Sequence, residues 1–329
     1  MLTKRKLALL TVVSFGIYFF MLIFFLPPEV VEPRVSGGLR DLLFVVKIGF
    51  LSVTAAVVTA FVMILIFRQD FVKKQSHTFN KFKHLLRLLV KRDFVSRYRR
   101  SVLGVLWSLL NPLLTMLVMT MVFSYIFRFQ IEFFPVYLLS GQIIFGFFSE
   151  STTLAMGSIT GSAAIIKKVY VPKYIFPMSR VISSLVNLAF SFLAFLLVFI
   201  IIRANFHFTI FLVPIPIIYT FIFSLGIGML LSSVAVFFRD ITYLYGVFIT
   251  FLTYLTPLFY PVSILPEWVR QILGLNPLYH FVDYFRNLAL YGVIPGLWAN
   301  LVCLGFALAA LCGGAYVSMS QQDKYILYL

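Results

Sequence analysis

Charge-free runs of about twenty residues recur along most of this chain, and this repetition constrains its fold more than any single motif. Coiled as a helix, a run of that length matches the ~30 Å hydrocarbon layer of a bilayer. One stretch breaks the pattern: residues 68–100 carry eleven Lys and Arg against two Asp. Hydrophobic residues make up 61% of the chain and charged ones 12%. A soluble domain cannot cover that much apolar surface, so the chain reads as an all-α, polytopic membrane protein. The net charge of +16 lies mostly on one side of the apolar runs. It therefore reads as membrane topology, with anionic membrane lipids as neighbours and no nucleic acid as partner.

Punctuation by Pro, Gly and charge divides the chain into eight expected transmembrane helices, at 7–26, 44–67, 107–127, 135–157, 180–202, 214–237, 241–260 and 297–318. With the N-terminus in the cytoplasm, cytoplasmic segments hold twenty of the 27 basic residues and outer segments six. That bias predicts both termini inside. Lys4, Arg5 and Lys6 precede the first run, and Pro27-Pro28-Glu29 follows it. A retained signal-anchor helix fits this better than a cleaved signal peptide.

Two stretches are not simple spans. Phe82, Leu85, Leu86, Leu89 and Val90 share one helical arc while Lys83, Arg87 and Lys91 lie off it. This predicts an amphipathic helix able to lie in the membrane interface. Residues 261–296 are too apolar for a solvated loop and too charged for a span. They are expected to form two short re-entrant helices broken at Asn276-Pro277 and shielded by protein. Three parts follow: a two-helix extension (1–67), a basic linker with the interface helix (68–106), and a six-helix core (107–329).

From about Leu85 onward the chain carries a series of ordered motifs. They are Arg97-Tyr98-Arg99-Arg100-Ser101 through Trp107, Asn111-Pro112-Leu113, Lys167-Lys168-Val169-Tyr170-Val171-Pro172-Lys173 and Phe176-Pro177. Phe238-Arg239-Asp240-Ile241, Thr256-Pro257-Leu258-Phe259-Tyr260-Pro261 and Asn276-Pro277-Leu278-Tyr279 follow. In these motifs it resembles the transmembrane subunit of ABC-2 type polysaccharide exporters, the permeases for O-antigen, teichoic acid or capsule. The resemblance implies a homodimer of this chain in a bacterial cytoplasmic (inner) membrane, joined to two copies of a cytoplasmic ABC ATPase subunit. The dimer would form a channel for a lipid-linked polysaccharide carried on undecaprenyl pyrophosphate, with residues 261–296 as its outer gate. No Gly-Lys dipeptide occurs, so the chain has no Walker A loop. It is expected to be no enzyme and to bind no cofactor, with ATP and Mg on the partner subunit. Residues 1–67 lie outside the resemblance.

Residue roles follow with their alternatives. By resemblance, Lys167, Lys168, Tyr170, Pro172 and Lys173 form the coupling helix that receives ATPase closure, with Arg239 and Asp240 a second inner turn. Topogenic charge alone would also explain the lysines, and Arg239 and Asp240 could pair with each other. Lys91, Arg92, Arg97, Arg99 and Arg100 suit phosphate oxygens, either of the carrier pyrophosphate or of ordinary lipid headgroups. Trp107, Tyr125, Phe145, Phe148, Tyr254 and Phe259 are candidate glycan-stacking residues of a channel, or else packing residues. Glu150 is the one acid placed inside a span; it meets glycan hydroxyls or a basic residue of another helix, or is protonated and bonded to a neighbouring helix, or sits nearer the cytoplasmic interface. No His, Cys or carboxylate cluster has metal-binding spacing, and Cys303 and Cys312 read as small core residues. The competing functions are a polytopic glycosyl- or acyltransferase acting on a lipid-linked glycan, for which acidic and histidine residues are few, and a secondary flippase, for which no repeat-related broken helices are evident.

Overall fold

A computed structural model describes residues 69–99, 104–127 and 131–328, and this region is helical throughout. The expected spans 7–26 and 44–67, and Arg100, lie outside the described residues. Four described stretches are long and apolar enough to cross a membrane: Leu106–Ser124, Ile175–Ile201, Phe208–Phe237 and Leu297–Gln321.

Helix α1 (Gln69–Tyr98) is the expected amphipathic element. Its stripe faces protein rather than lipid. Leu86 and Leu89 are buried in a cluster with Ile166, Val171, Ile175 and Phe176. Each such burial stabilises by roughly 2 kcal/mol. Lys83, Arg87 and Lys91 are exposed, as the periodicity requires. Asp93 lies on the buried side, where its Oδ1 accepts Arg180 Nη1 at 3.0 Å and Arg92 Nη2 at 3.2 Å. Two guanidinium groups make burial of that carboxylate tolerable.

Helix α2 (Leu106–Met121) runs on into a π-helical end, Val122–Ile126. Helix α3 (Phe134–Met156) is the centre of the bundle, packed by α4 (Ile175–Ile201), α5 (Pro214–Phe237) and α8 (Pro277–Ala289). At 1.5 Å per residue its 23 residues reach about 34 Å, enough for a bilayer. It is nevertheless not among the four most apolar stretches. Shielding explains this. Its buried Ser140, Ser151 and Thr152 return hydrogen bonds to carbonyls one turn back, at 2.6, 3.1 and 2.6 Å. Polar groups satisfied in this way are tolerated in a low-dielectric interior.

Helix α4 begins five residues before the expected boundary. Pro177 sits in its first turn, where its missing N–H would be unpaired anyway. Among the described residues, helices α5 and α9 (Leu297–Gln321) make the most extensive helix pairing. A Cβ added at Gly226 would collide with the Ala310 backbone, and one at Gly314 with the carbonyl of Gly226. Small residues give membrane helices this close approach.

Helix α6 (Ile241–Leu255) corrects the expected 241–260 span. Its 15 residues reach only about 22 Å, and the chain unwinds through 256–261. The segment that follows forms two short helices, α7 (Glu267–Leu273) and α8, with the expected break at Asn276-Pro277. Asn276 Oδ1 caps α8 by accepting Leu278 N–H at 3.0 Å, and Pro277 opens the helix. Helix α8 is almost wholly buried, whereas α7 leaves Trp268 55% exposed.

Candidate functional site

Although α3 is mostly buried, one strip of it is open. Gly146, Thr153 and Gly157 are exposed, with Ser149 and Glu150 half-buried between them. Spacings of three and four residues put them on one face. This strip, the end of α1 and Ile249 and Thr253 of α6 enclose a groove of about 450 Å³.

The groove is held at one side by a polar cluster drawn from four helices. Arg97 Nη1 and Asn187 Nδ2 both donate to Glu150 Oε1, each at 2.5 Å. Tyr98 OH donates to Asn187 Oδ1 at 2.5 Å and lies 2.5 Å from Ser108 Oγ, which itself donates to Asn187 Oδ1 at 3.2 Å. Burial alone would lower the Arg97 pKa, but the hydrogen bond and charge of Glu150 outweigh it and hold the guanidinium above its ordinary range. The pair remains 34% and 32% exposed, so it is worth only ~1 kcal/mol. Glu150 thus meets a basic residue of one helix, Arg97, and the side-chain amide of another, Asn187.

The other sequence-derived cations lie elsewhere. Lys91, Arg92 and Arg99 are exposed, and Arg92 is engaged by Asp93. Among the aromatics, Trp107 on α2 and Tyr254 on α6 are 48% and 69% exposed. Phe259 is half-buried and stacked on Phe123 at 5.5 Å. Phe145 is buried but forms part of the groove wall. Phe148 instead stacks on Phe223 at 5.5 Å inside the core. Tyr125 lies in the π-helical end of α2. The outer face of α6, including Tyr243, Val247, Phe251 and Tyr254, is an open apolar surface.

The 167–174 loop, packed beside α1 through Val171, projects from the bundle. Lys167, Lys168 and Tyr170 are exposed, Tyr170 to 78%. Lys173 departs from the exposed basic loop expected of it. It is buried, with Nζ 5.2 Å from the centre of the Tyr170 ring, a cation–π contact that props the ring outward. Pro172 is buried beside it. Arg239 and Asp240 are exposed at the α5–α6 turn with no ion pair between them among the described residues. Arg239 lines a cavity of about 320 Å³ with Thr160, Thr242 and Tyr328. No group of three or more His, Cys, Asp or Glu is gathered among the described residues.

Sequence reasoning missed two features. Asn187 carried no signal, since a lone Asn in an apolar run is common. Arg286 was counted as an outer charge, yet it is buried. A signal existed: it falls four residues after Val282 and three before Ala289, on the face that α8 buries.

Residues 84–290 match the family model described as ABC-2 type transporter. The chain is 30% identical to the O-antigen export system permease protein RfbA of Klebsiella pneumoniae, over 68% of this chain and 87% of that protein. It is 26% identical to the polysialic acid transport protein KpsM of Escherichia coli, over 72% and 93%. It is 22% identical to the capsule polysaccharide export inner-membrane protein CtrC of Neisseria meningitidis, over 62% and 78%.

Proposed function

The chain belongs to the ABC-2 type transporter family, and from that premise we propose that it is the permease of an ABC exporter for O-antigen- or capsule-class polysaccharide in a bacterial inner membrane. One observation carries this function: the matched region, 84–290, takes in the groove, the projecting loop and the α7–α8 hairpin together. Permease subunits of this family are non-catalytic membrane components. An ATPase subunit therefore supplies the energy, and two copies of it pair with two copies of this chain.

The substrate is a polysaccharide linked to undecaprenyl pyrophosphate. Its diphosphate carries more negative charge than one carboxylate, so at Arg97 it displaces Glu150 from an ion pair worth only ~1 kcal/mol. Lys91, Arg92, Arg99 and Arg100 raise the local concentration of the anion. The glycan then passes along a path between the two copies. Trp107, Tyr254 and Phe259 offer ring faces to the C–H faces of sugars. Tyr170 seats in the ATPase, and movement of the 167–174 loop passes directly into α4 through Pro177. The ion pair of Asp93 with Arg180 makes α1 follow α4.

The test is reconstitution with an ABC ATPase subunit that co-purifies with this chain. Glycolipid-stimulated ATP hydrolysis and export that need both subunits are expected. Export by the single chain without ATP would overturn the proposal.

A further inference from the structure

Arg286 stands on α8 and is 4% exposed. Its acceptors are all neutral. Nη1 donates to the Pro257 carbonyl at 2.8 Å, and Nη2 to those of Leu258 at 3.1 Å and Tyr137 at 3.3 Å. Nε donates to Ser140 Oγ at 3.2 Å, and the guanidinium lies 3.5 Å from the centre of the Tyr137 ring. Asp283, one turn earlier, accepts Asn287 Nδ2 instead at 3.0 Å.

The carbonyls of Pro257 and Leu258 belong to the unwound stretch after α6. That stretch runs through protein at the end of a helix too short to span, where unpaired backbone groups are expensive. Other elements satisfy it. Tyr137 OH donates to the Tyr260 carbonyl at 2.9 Å, and Asn276 Nδ2 to Thr256 Oγ1 at 2.9 Å. Arg286 thus occupies the place of a cation inside a ring of carbonyls, tethered to α8. Gly141 leaves the room for it, since a Cβ there would stand 3.0 Å from Nη2 and 3.1 Å from Leu258 Cδ2.

We infer that Arg286 is a positioning residue that pins α8 to the unwound end of α6 and the head of α3, so that these three pieces move as one body while α7 is carried along. The three carbonyls and Ser140 are met by three different nitrogens of one planar fork. A lysine keeps the charge but offers its donors from a single nitrogen, so it cannot reproduce this arrangement. The inference rests on the export function proposed above for its consequence: α6 movement is converted into displacement of the α7–α8 hairpin.

The experiment uses the permease–ATPase complex in proteoliposomes and two variants, Arg286→Gln and Arg286→Lys. Amide hydrogen exchange is measured over 256–261 and 277–289, with α5 and α9 as internal reference, alongside ATP hydrolysis and glycan exported per ATP. At least tenfold faster exchange confined to the two pinned segments is expected, with near-normal hydrolysis and a severalfold drop in export per ATP. Unchanged exchange and an unchanged export ratio in both variants would overturn the pin. Equal acceleration in α5 and α9 in both variants would also overturn it, because Arg286 would then be a general folding residue. If Arg286→Gln does not assemble, Arg286→Lys decides alone by the same two readouts. A wild-type complex that exports nothing would refute the export function, while the exchange pattern would still judge the pin.

Discussion

Arg97 Nη1 lies 2.5 Å from Glu150 Oε1, joining two helices whose residues are 53 apart in sequence. The bond closes one side of the groove with the only charges that the described residues place on its wall. A cation already held by one carboxylate is available to a better anion and silent without it. This relationship makes the two halves of the pair behave oppositely when removed.

Glu150→Gln is expected to lower the half-saturating concentration of lipid-linked glycan several-fold, because Arg97 is freed for phosphate. Arg97→Gln is expected to raise it at least tenfold. Glycolipid-stimulated ATP hydrolysis in the reconstituted complex measures both. Equal impairment in the two variants would show that the pair is only a tie between α1 and α3.

Asp93→Asn leaves Arg180 without its carboxylate beneath α1. Asp93 is buried but Arg180 is partly exposed, so breaking the pair costs about 1–2 kcal/mol. The purified chain is therefore expected to unfold at a temperature several degrees lower, and α1 to become protease-sensitive first. Unaltered melting and digestion would show that the Leu86–Leu89 stripe alone holds the helix.

Tyr170→Ala removes a ring that is 78% exposed. The ring's cation–π contact with Lys173 is worth about 0.5–1 kcal/mol. Melting is expected to fall by a few degrees at most, while recovery of the ATPase subunit in affinity purification falls severalfold. Full recovery would remove Tyr170 from the docking surface.

Gly226→Ala pushes a methyl group into the Ala310 backbone, whereas a Cβ at Gly313 meets nothing within 4 Å. Overpacking costs typically 1–3 kcal/mol, and more where backbone must yield, so roughly 3 kcal/mol is expected. Gly313→Ala serves as a near-neutral control. Thermal melting in detergent separates the two, and equal melting of both variants would mean that α5 and α9 are not in close contact.

Much of the architecture was legible because its signals are local. Apolar runs, the cap chemistry of Asn276-Pro277 and the 3.6-residue stripe of α1 each depend on neighbours a few residues away. The extent of α6 was misread because Thr256-Pro257-Leu258-Phe259-Tyr260 is apolar enough to continue a span, although Pro257 marks its end. Thr256 turns extended before that proline, and α3 and α8 then supply partners for the freed carbonyls. Lys173 and Arg286 misled for another reason: a sequence shows that a cation is present but not which surface it meets. The groove was half legible. Glu150 stood out as an acid in an apolar run, while its partners Arg97 and Asn187 come from other helices.

By itself the sequence determined that this chain is helical and lodged in a membrane, where its basic stretch lies, and that it carries no Walker A loop, because composition and short-range periodicity settle such matters. The tertiary structure alone decided which charges meet. Arg97 finds Glu150, Arg180 finds Asp93 and Arg286 finds a ring of carbonyls only once the helices have packed, since electrostatic pairing acts over a few ångströms of space irrespective of distance along the chain.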